Sequence, residues 1–376
     1  MRDLSKIRKE IDRIDQSLVR LLGERMNCSS EVAEYKRGTH KPIYDKKRED
    51  EKLLTLTADQ KNPFMARAIE EVFLQIMSIS RRYQYSILSN EDDYIEKHFK
   101  EVDKLLVTNE TRVAYQGVPG AYQEQAMVQF FGEEVQNFHV QTFEDVIKAV
   151  DEGKADYGVL PIENSSAGTV SGIYDMLLNS EVCVVGEEIV ECNHALVGIP
   201  GTQLEQVEKV YSHPQGLMQC NNFLREWKWE QIDQLNTAIG AKKVATDNDK
   251  TKVAISSERA AKLYGLEILR HKINNEGNNC TRFVIMSKEK QYKKDAEKIS
   301  ISFSLPHETG TLYNILAHFM FNDISMCNIE SRPLPNRQWE YGFYIDVIGN
   351  LNEPSVKNAL IGIREEVNDF KILGNF

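Results

Sequence analysis

From Leu4 to Tyr35 the chain contains no proline, and its apolar residues recur at Leu4, Ile7, Ile11, Ile14, Leu18, Leu21, Cys28, Val32 and Tyr35. This 3-4 spacing lays them along one stripe of an α-helix and predicts a single helix of about thirty residues. The N-terminal region is thereby committed to helix packing. "KPIYDKKREDEKLLTL" reads as a turn and a second helix, and Ile69, Val72, Phe73, Ile76, Tyr83 and Ile87 mark a third.

Arg25 occupies a position that the stripe reserves for an apolar residue. An unpaired buried charge costs several kcal/mol, so this guanidinium needs an anion beside it. Glu31 or Glu49 could supply one from within the protein. A bound anionic ligand is the alternative: Lys36 and Arg48 add cations, Asp45 and Glu49 lie beside them, and the third helix carries Ser80 on its seam with Gln84 one turn on. Arg25 and Lys36 are nearly three helical turns apart, roughly 17 Å of rise, so their long side chains can converge on one molecule. Arg8 lies roughly 26 Å from Arg25 and about 100° round the helix, beyond reach of the same small ligand. If Arg8 serves that site it comes from a second chain, supplied by antiparallel pairing of the long helices.

At 376 residues the chain implies two or three domains. A net charge of −11 leaves no broad basic surface for nucleic acid, so small molecules are the expected ligands. The charged start "MRDLSKIRKEIDRID" and the lack of 18 consecutive apolar residues predict no membrane partner and a cytoplasmic protein. Six cysteines without a C-x-x-C, and scattered histidines without H-E-x-x-H, indicate reduced thiols and no metal site.

Three textures divide the chain, helical over 1–90, alternating β and α runs over 111–288, and a strand-helix-strand-strand-helix-strand series over 298–376, with a charged linker over 91–110. The alternating region predicts an α/β domain whose ligands sit at strand ends and helix starts. The last series fits a βαββαβ ferredoxin-like unit. In the α/β region "GVPGAYQEQA" places two glycines before a helix, where free N–H groups could meet an anion. "PIENSSAGTV" ends a strand in Asn164, Ser165, Ser166 and Thr169, a set that can cradle a carboxylate or simply cap a helix. "SHPQGLMQC" carries Ser212, His213 and Gln215 into a helix that opens on Pro214, with His213 readable as a general acid or a turn residue. "GNNCTRFVIM" sets Thr281 and Arg282 at the start of an apolar strand, either an active-site mouth or an ordinary wet strand end.

Residues 1 to about 90 resemble the all-helical chorismate mutases. The family's ligand-contacting positions fall on Arg8, Arg25, Lys36, Asp45, Arg48, Glu49, Ser80 and Gln84. The resemblance implies an intertwined dimer in which Arg8 crosses to the partner's pocket. Arginines would hold the two carboxylates of chorismate, while Lys36 and Gln84 donate to the breaking ether oxygen. Residues 112 to 288 resemble prephenate dehydratase, with the T-R-F signature at Thr281, Arg282 and Phe283 and Asn279 ahead of it. The implied fold is similar to the type 2 periplasmic binding proteins, two α/β lobes around a cleft with the second inserted in the first. Thr281 would donate to the departing hydroxyl, with Asn164, Ser165, Thr169, Ser212, Gln215, Arg282 and Phe283 holding prephenate. Asn236 stands where relatives usually carry Asp or Ser.

The C-terminal segment resembles the ACT domain. Its motifs fall on Gly310, Thr311 and Leu312 and on Glu330, Ser331, Arg332 and Pro333, with Thr309 and Thr311 replacing the usual Pro and Ala. That resemblance implies an L-phenylalanine site between paired subunits and feedback inhibition. The expected protein is a bifunctional enzyme without a cofactor, a homodimer or larger. The rival reading is a non-catalytic small-molecule sensor with a helical dimerisation stem.

Overall fold

A computed structural model describes residues 3–39, 41–89, 92–334, 337 and 340–376. Glu91 at the head of the expected linker and Pro335 at the end of "IESRPLP" lie outside the described residues. The chain forms two compact units, residues 1–98 with 297–372, and residues 99–296 with 373–376.

In the first unit α1 spans Leu4–Thr39 and ends in Lys36 and Arg37, cations that suit the negative end of the helix dipole. The second helix, α2, spans Lys46–Thr57 and starts at Asp45, whose carboxylate accepts the Arg48 N–H. The third, α3, spans Pro63–Leu88, opened by the Asn62 cap and by proline in its first turn. The apolar stripe of α1 is open to solvent in the single chain, with Leu4, Ile11, Leu18 and Leu21 each at least half exposed. The buried positions of α3 are unusually polar: Ser78, Ser80, Arg81, Arg82 and Gln84 share them with Met77 and Tyr85. So many buried polar groups require partners or ligands.

Strand Lys298–Leu305, helix Thr311–Phe321, strands Met326–Pro333 and Tyr341–Ile348, helix Pro354–Glu366 and strand Asn368–Asn375 complete this unit. The strand from 341 to 348 pairs antiparallel with those at 298–305 and 326–333. Ile361 of the C-terminal helix forms a buried cluster with Ile43 and Tyr85, which joins that helix to α3 and the turn before α2.

The second unit contains two larger sheets, each with a run of five strands in this unit. In one, strands run in the order Cys183–Glu191, Cys280–Ser287, Tyr157–Asn164, Arg112–Gln116, Gln136–Val140. In the other the order is Glu267–Arg270, Ala195–Gly198, Lys252–Ser256, Lys209–Ser212, Glu230–Asp233. Residues 195–270 therefore form a lobe inserted between two adjacent strands of the first sheet. The expected linker is partly built: Tyr94–His98 is helical, and Lys100–Val102 pairs parallel with Gln291–Lys293, so the α/β unit begins at Phe99. A three-residue strand too short to show alternation, in a charged segment, left no periodic trace in the sequence.

Candidate active sites

Helices α1, α2 and α3 enclose a cavity of about 320 Å³. Its wall includes Arg25, Lys36, Asp45, Arg48, Glu49, Ser80 and Gln84, together with Lys52 and Arg81. Seven of the eight positions read from the sequence are thus brought together, and Arg8 is not among them. Arg25 Nη1 donates to Ser80 Oγ and, at 3.5 Å, to the Ile76 carbonyl. Lys36 Nζ donates to the Ile43 carbonyl at 2.6 Å. Among the described residues no carboxylate pairs with Arg25, Lys36 or Arg48, so Arg25 does not make the bridge to Glu31 or Glu49 that the sequence allowed. Burial lowers the pKa of Arg25, against the pull of the Glu49 carboxylate. Burial likewise lowers Lys36, opposed by Asp45, Glu365 and Glu49 and reinforced by Arg81.

Gln84 is buried; its Nε2 gives one proton to the Ser80 carbonyl at 3.2 Å and keeps the second, while Oε1 has no partner. Glu49, unlike the free cations, is gripped by Arg81, whose Nη1 lies 2.5 Å from both carboxylate oxygens. Arg81 escaped the sequence reading. The adjacent arginines in an otherwise apolar stretch of α3 were the available signal.

A second cavity, of about 280 Å³, lies in the α/β unit with Thr281, Phe283, Asn164, Gln215, Gln219, Tyr122, Cys192, His194, His213 and Asn236 on its wall. Thr281 Oγ1 accepts from Asn164 Nδ2 at 2.9 Å and sits 3.1 Å from Cys192 Sγ. Burial pushes the Cys192 thiol up to about 11, so near neutrality it remains S–H and can donate to Thr281. Where the thiol proton goes to Thr281 rather than to the Val190 carbonyl 3.7 Å away, the threonine keeps its own proton for a ligand.

Asn164 ends a continuous chain of hydrogen bonds. Burial holds the Tyr122 phenol protonated and His194 neutral, which sets Tyr122 Oη donating to His194 Nδ1 at 3.0 Å. His194 Nε2 then donates to Gln219 Oε1 at 2.9 Å, and Gln219 Nε2 to Asn164 Oδ1 at 3.3 Å. The amide orientations are fixed independently, because Asn164 Oδ1 also accepts the Ser166 and Ala167 N–H groups. Every donor in the series points toward Thr281, an arrangement in which each bond polarises the next. Gln219, His194, Tyr122 and Cys192 were not singled out from the sequence, since their roles depend on contacts between segments far apart in the chain.

Four expected prephenate residues do not reach this wall. Arg282 follows Thr281 on the strand and so faces the other side of the sheet, where it lies 3.6 Å from both Glu163 and Glu187. Ser212 is fully buried and donates to the Ile255 carbonyl at 2.7 Å. Ser165 Oγ donates to the Asn278 carbonyl and accepts the Cys280 N–H. Thr169 pairs with Glu163 in a two-residue strand. The glycine turn also differs from its anion-binding reading: Gly117 N–H donates to the Val140 carbonyl and Gly120 N–H to Glu124 Oε2. His213 accepts the Gln215 N–H on Nδ1 as a helix cap, and burial lowers its pKa, so it is a neutral wall residue. Asn236 caps the following helix through Oδ1, while its buried Nδ2 has no partner.

In the C-terminal segment Gly310, Thr311 and Leu312 line a cavity of about 320 Å³ with Pro306, Tyr341 and Phe343. Glu330, Ser331, Arg332 and Pro333 lie on the strand at 326–333 and do not contribute to that wall within one chain. Thr311 Oγ1 is committed to the turn, donating to the Glu308 carbonyl at 3.0 Å.

The helical cavity offers Arg25, Lys36, Arg48 and Lys52, none paired with a carboxylate among the described residues, together with neutral donors, and the α/β cleft offers a hydroxyl at a strand end. The first set suits a small anion and the second a neutral hydrogen-bonding site, the parts of an enzyme with two separate centres. The sequence matches the chorismate mutase type II family over residues 7–85 and the prephenate dehydratase family over residues 113–291. It is 33% identical over 381 residues to a bifunctional chorismate mutase/prephenate dehydratase of Aquifex aeolicus, covering 100% of this chain and 98% of that protein. The corresponding Escherichia coli K12 protein is 30% identical, with 99% and 95% covered. A prephenate dehydratase from Arthrobacter aurescens, solved with L-Phe, superposes with a TM-score of 0.66 at 25% identity, over 70% of this chain and 89% of that one.

The chain belongs to the bifunctional chorismate mutase/prephenate dehydratase family, and it carries both enzymatic activities.

A lysine donates to developing negative charge only as an ammonium, so an ether-oxygen donor at Lys36 would be lost on deprotonation. The mutase kcat/KM is expected to fall as pH rises through the lowered Lys36 pKa, with the limb below the 10.5 of an ordinary lysine. Lys36→Arg should move that limb upward in pH, and a profile flat to that point would contradict the assignment.

Proposed function

We propose that the helical cavity holds chorismate by its two carboxylates on Arg25 and Arg48, with Arg8 arriving from a partner chain. Asp45, Glu49 and Ser80 complete the walls. Lys36 and the second amide proton of Gln84 stabilise the ether oxygen as its bond to carbon breaks and the new carbon-carbon bond forms. The observation that carries this reading is the set of cations around one cavity that have no carboxylate partner among the described residues, Arg25 and Lys36 half-buried and Arg48 exposed. The rearrangement uses no nucleophile, so conformer selection and charge stabilisation account for the chemistry. The exposed apolar stripe of α1 supports a homodimer, because a face of that length asks to be covered.

In the α/β cleft the ring carboxylate of prephenate leaves as CO2, and its bonding electrons enter the ring and expel hydroxide, which leaves as water after gaining a proton. Thr281 donates to that departing oxygen, oriented by Asn164 and, through it, by Gln219 and His194. Gln215 and the spare Nδ2 protons of Asn236 serve as donors to the substrate carboxylates, with Phe283 against the ring. Arg282 supports the strand through Glu163 and Glu187, and Ser212, Ser165 and Thr169 support the loops. The C-terminal segment acts as a ferredoxin-like ACT module that binds L-phenylalanine, the amino acid to which phenylpyruvate leads. A relative solved with L-Phe and the cavity at Gly310 to Leu312 support that reading. Glu330 to Pro333 would complete the site across a subunit pair.

Thr281→Ala should reduce dehydratase kcat by about 10²- to 10³-fold while chorismate rearrangement is retained. Equal loss of both rates would refute the separation of the sites. Saturating L-phenylalanine is expected to slow prephenate turnover or change the sedimentation of the protein; no effect on either would remove the regulatory role. Mixing Arg8→Ala chains with Lys36→Ala chains should restore mutase activity, since each mixed dimer rebuilds one complete site. Failure of subunit-exchanged mixtures to regain it would place Arg8 outside the site.

A further inference from the structure

The wall of the mutase cavity does not end with the helical region. Arg81 is buried, and its guanidinium is held on two sides. One nitrogen grips Glu49; the others form a fork onto Glu366 of the C-terminal helix, Nε to Oε1 at 2.8 Å and Nη2 to Oε2 at 3.3 Å. Glu366 stands 285 residues further along the chain, and its side chain is only 5% exposed. Burial opposes the Arg81 charge, but the carboxylates of Glu366 and Glu49 overcome it and raise its pKa. Burial would raise Glu366, yet the His318 ring nitrogen and the Arg81 charge hold its carboxyl below the ordinary range. Tyr44 adds an aromatic face 4.8 Å from the guanidinium carbon.

A parallel link runs from the neighbouring residue. Glu365 Oε2 accepts the Ile43 N–H at 2.9 Å, and the Ile43 carbonyl is the group that receives Lys36 Nζ. Ile43 is buried against Tyr85 and Ile361, and Tyr85 Oη reaches Glu365 Oε2 at 3.3 Å. Two consecutive carboxylates on one helix end thus face two groups of the mutase wall.

We propose that Glu366 is a positioning residue of the mutase: by clamping the plane of the Arg81 guanidinium it fixes the Glu49 carboxylate at the cavity wall, making the C-terminal module part of the mutase machinery. A bidentate fork constrains orientation as well as distance, and this geometry is what a single remaining contact would lose. Without Glu366, Arg81 keeps Glu49 and the Tyr44 ring face but loses the fork that fixes its plane, and the pair can swing together away from the ligand. The inference rests on the helical cavity being the chorismate site.

The test is a double-mutant cycle on mutase kcat/KM, with prephenate turnover and thermal unfolding followed in the same full-length proteins. Glu366→Gln should lower mutase kcat/KM by about tenfold and leave dehydratase kcat unchanged. Arg81→Met should give a similar loss, and adding Glu366→Met to it should cost nothing more, because the apolar pair can pack in place of the ion pair. A Glu366→Gln protein with wild-type mutase kinetics overturns the proposal, as does equal loss of both activities. If Glu366→Gln does not fold, the comparison of Arg81→Met with Arg81→Met/Glu366→Met decides alone: equal kcat/KM sustains the role, and a further tenfold loss overturns it. Glu49→Gln separates the two levels, for intact mutase activity there would refute the cavity assignment itself, whereas its loss beside an unaffected Glu366→Gln would refute only the positioning role.

Discussion

The first unit brings two carboxylates onto one buried guanidinium, that of Arg81. Desolvating the cation costs several kcal/mol, and only close, well-aligned carboxylates offset it. Glu49 from α2 and Glu366 from the C-terminal helix meet the need together, with the buried Ile43, Tyr85 and Ile361 cluster beside them. The ion pair therefore orients groups more than it adds stability, since an apolar replacement of similar volume would be expected to hold the elements equally well. Close packing around it leaves little latitude: a methyl at Gly362 would run into the His318 ring and approach Tyr85 Cδ2 to 3.1 Å.

The two cavities differ in their electrostatics. On the proposed assignment both receive a dicarboxylate, yet the helical cavity presents Arg25, Lys36, Arg48 and Lys52 while among the described residues no lysine or arginine lines the α/β cleft. In the mutase the charge on the ligand is nearly conserved along the reaction, so cations can hold it throughout without opposing the chemistry. In the dehydratase a carboxylate must be lost as neutral CO2 while an oxygen gains negative charge. A strong cation on the departing carboxylate would stabilise the ground state against that change. Neutral donors on the cleft wall, and a hydroxyl aimed by a chain of neutral hydrogen bonds, avoid the penalty.

What the sequence displayed was local. Helix spacing revealed α1 to α3, and the charge at Arg25 marked a binding cavity because a 3-4 stripe makes its exceptions visible. Thr281 and Phe283 were legible as strand-end residues on one face, and the same alternation, applied strictly, would have turned Arg282 away from the cleft. Ser212 looked like a donor at a strand end, but its hydroxyl is consumed by a carbonyl of the adjacent strand, which only the sheet order discloses. Asp45 has a cap role that its position before a helix announces, alongside its place on the cavity wall. The adjacent arginines of α3 were a local signal for Arg81, but its partnership with Glu366 was beyond reach of any local pattern, because the two stand 285 residues apart.

That distance carries its own implication for how the chain is built. A helical mutase that closed its own cavity would have no use for a charged pair at Arg81 and Arg82, where burial favours apolar side chains. Here Arg82 Nη1 donates to the Ala317 carbonyl at 3.0 Å, its buried Nε having no hydrogen-bond partner among the described residues, and Arg81 donates to Glu366, so both arginines make contacts with the C-terminal segment. Separating residues 1–90 from that segment would uncover two cations and leave the backbone of Ile43 without its carboxylate. The helical region of this chain is therefore adapted to its neighbour at the level of individual hydrogen bonds, and two groups of the cavity wall, Arg81 and Ile43, are held by residues that lie far beyond the helical sequence.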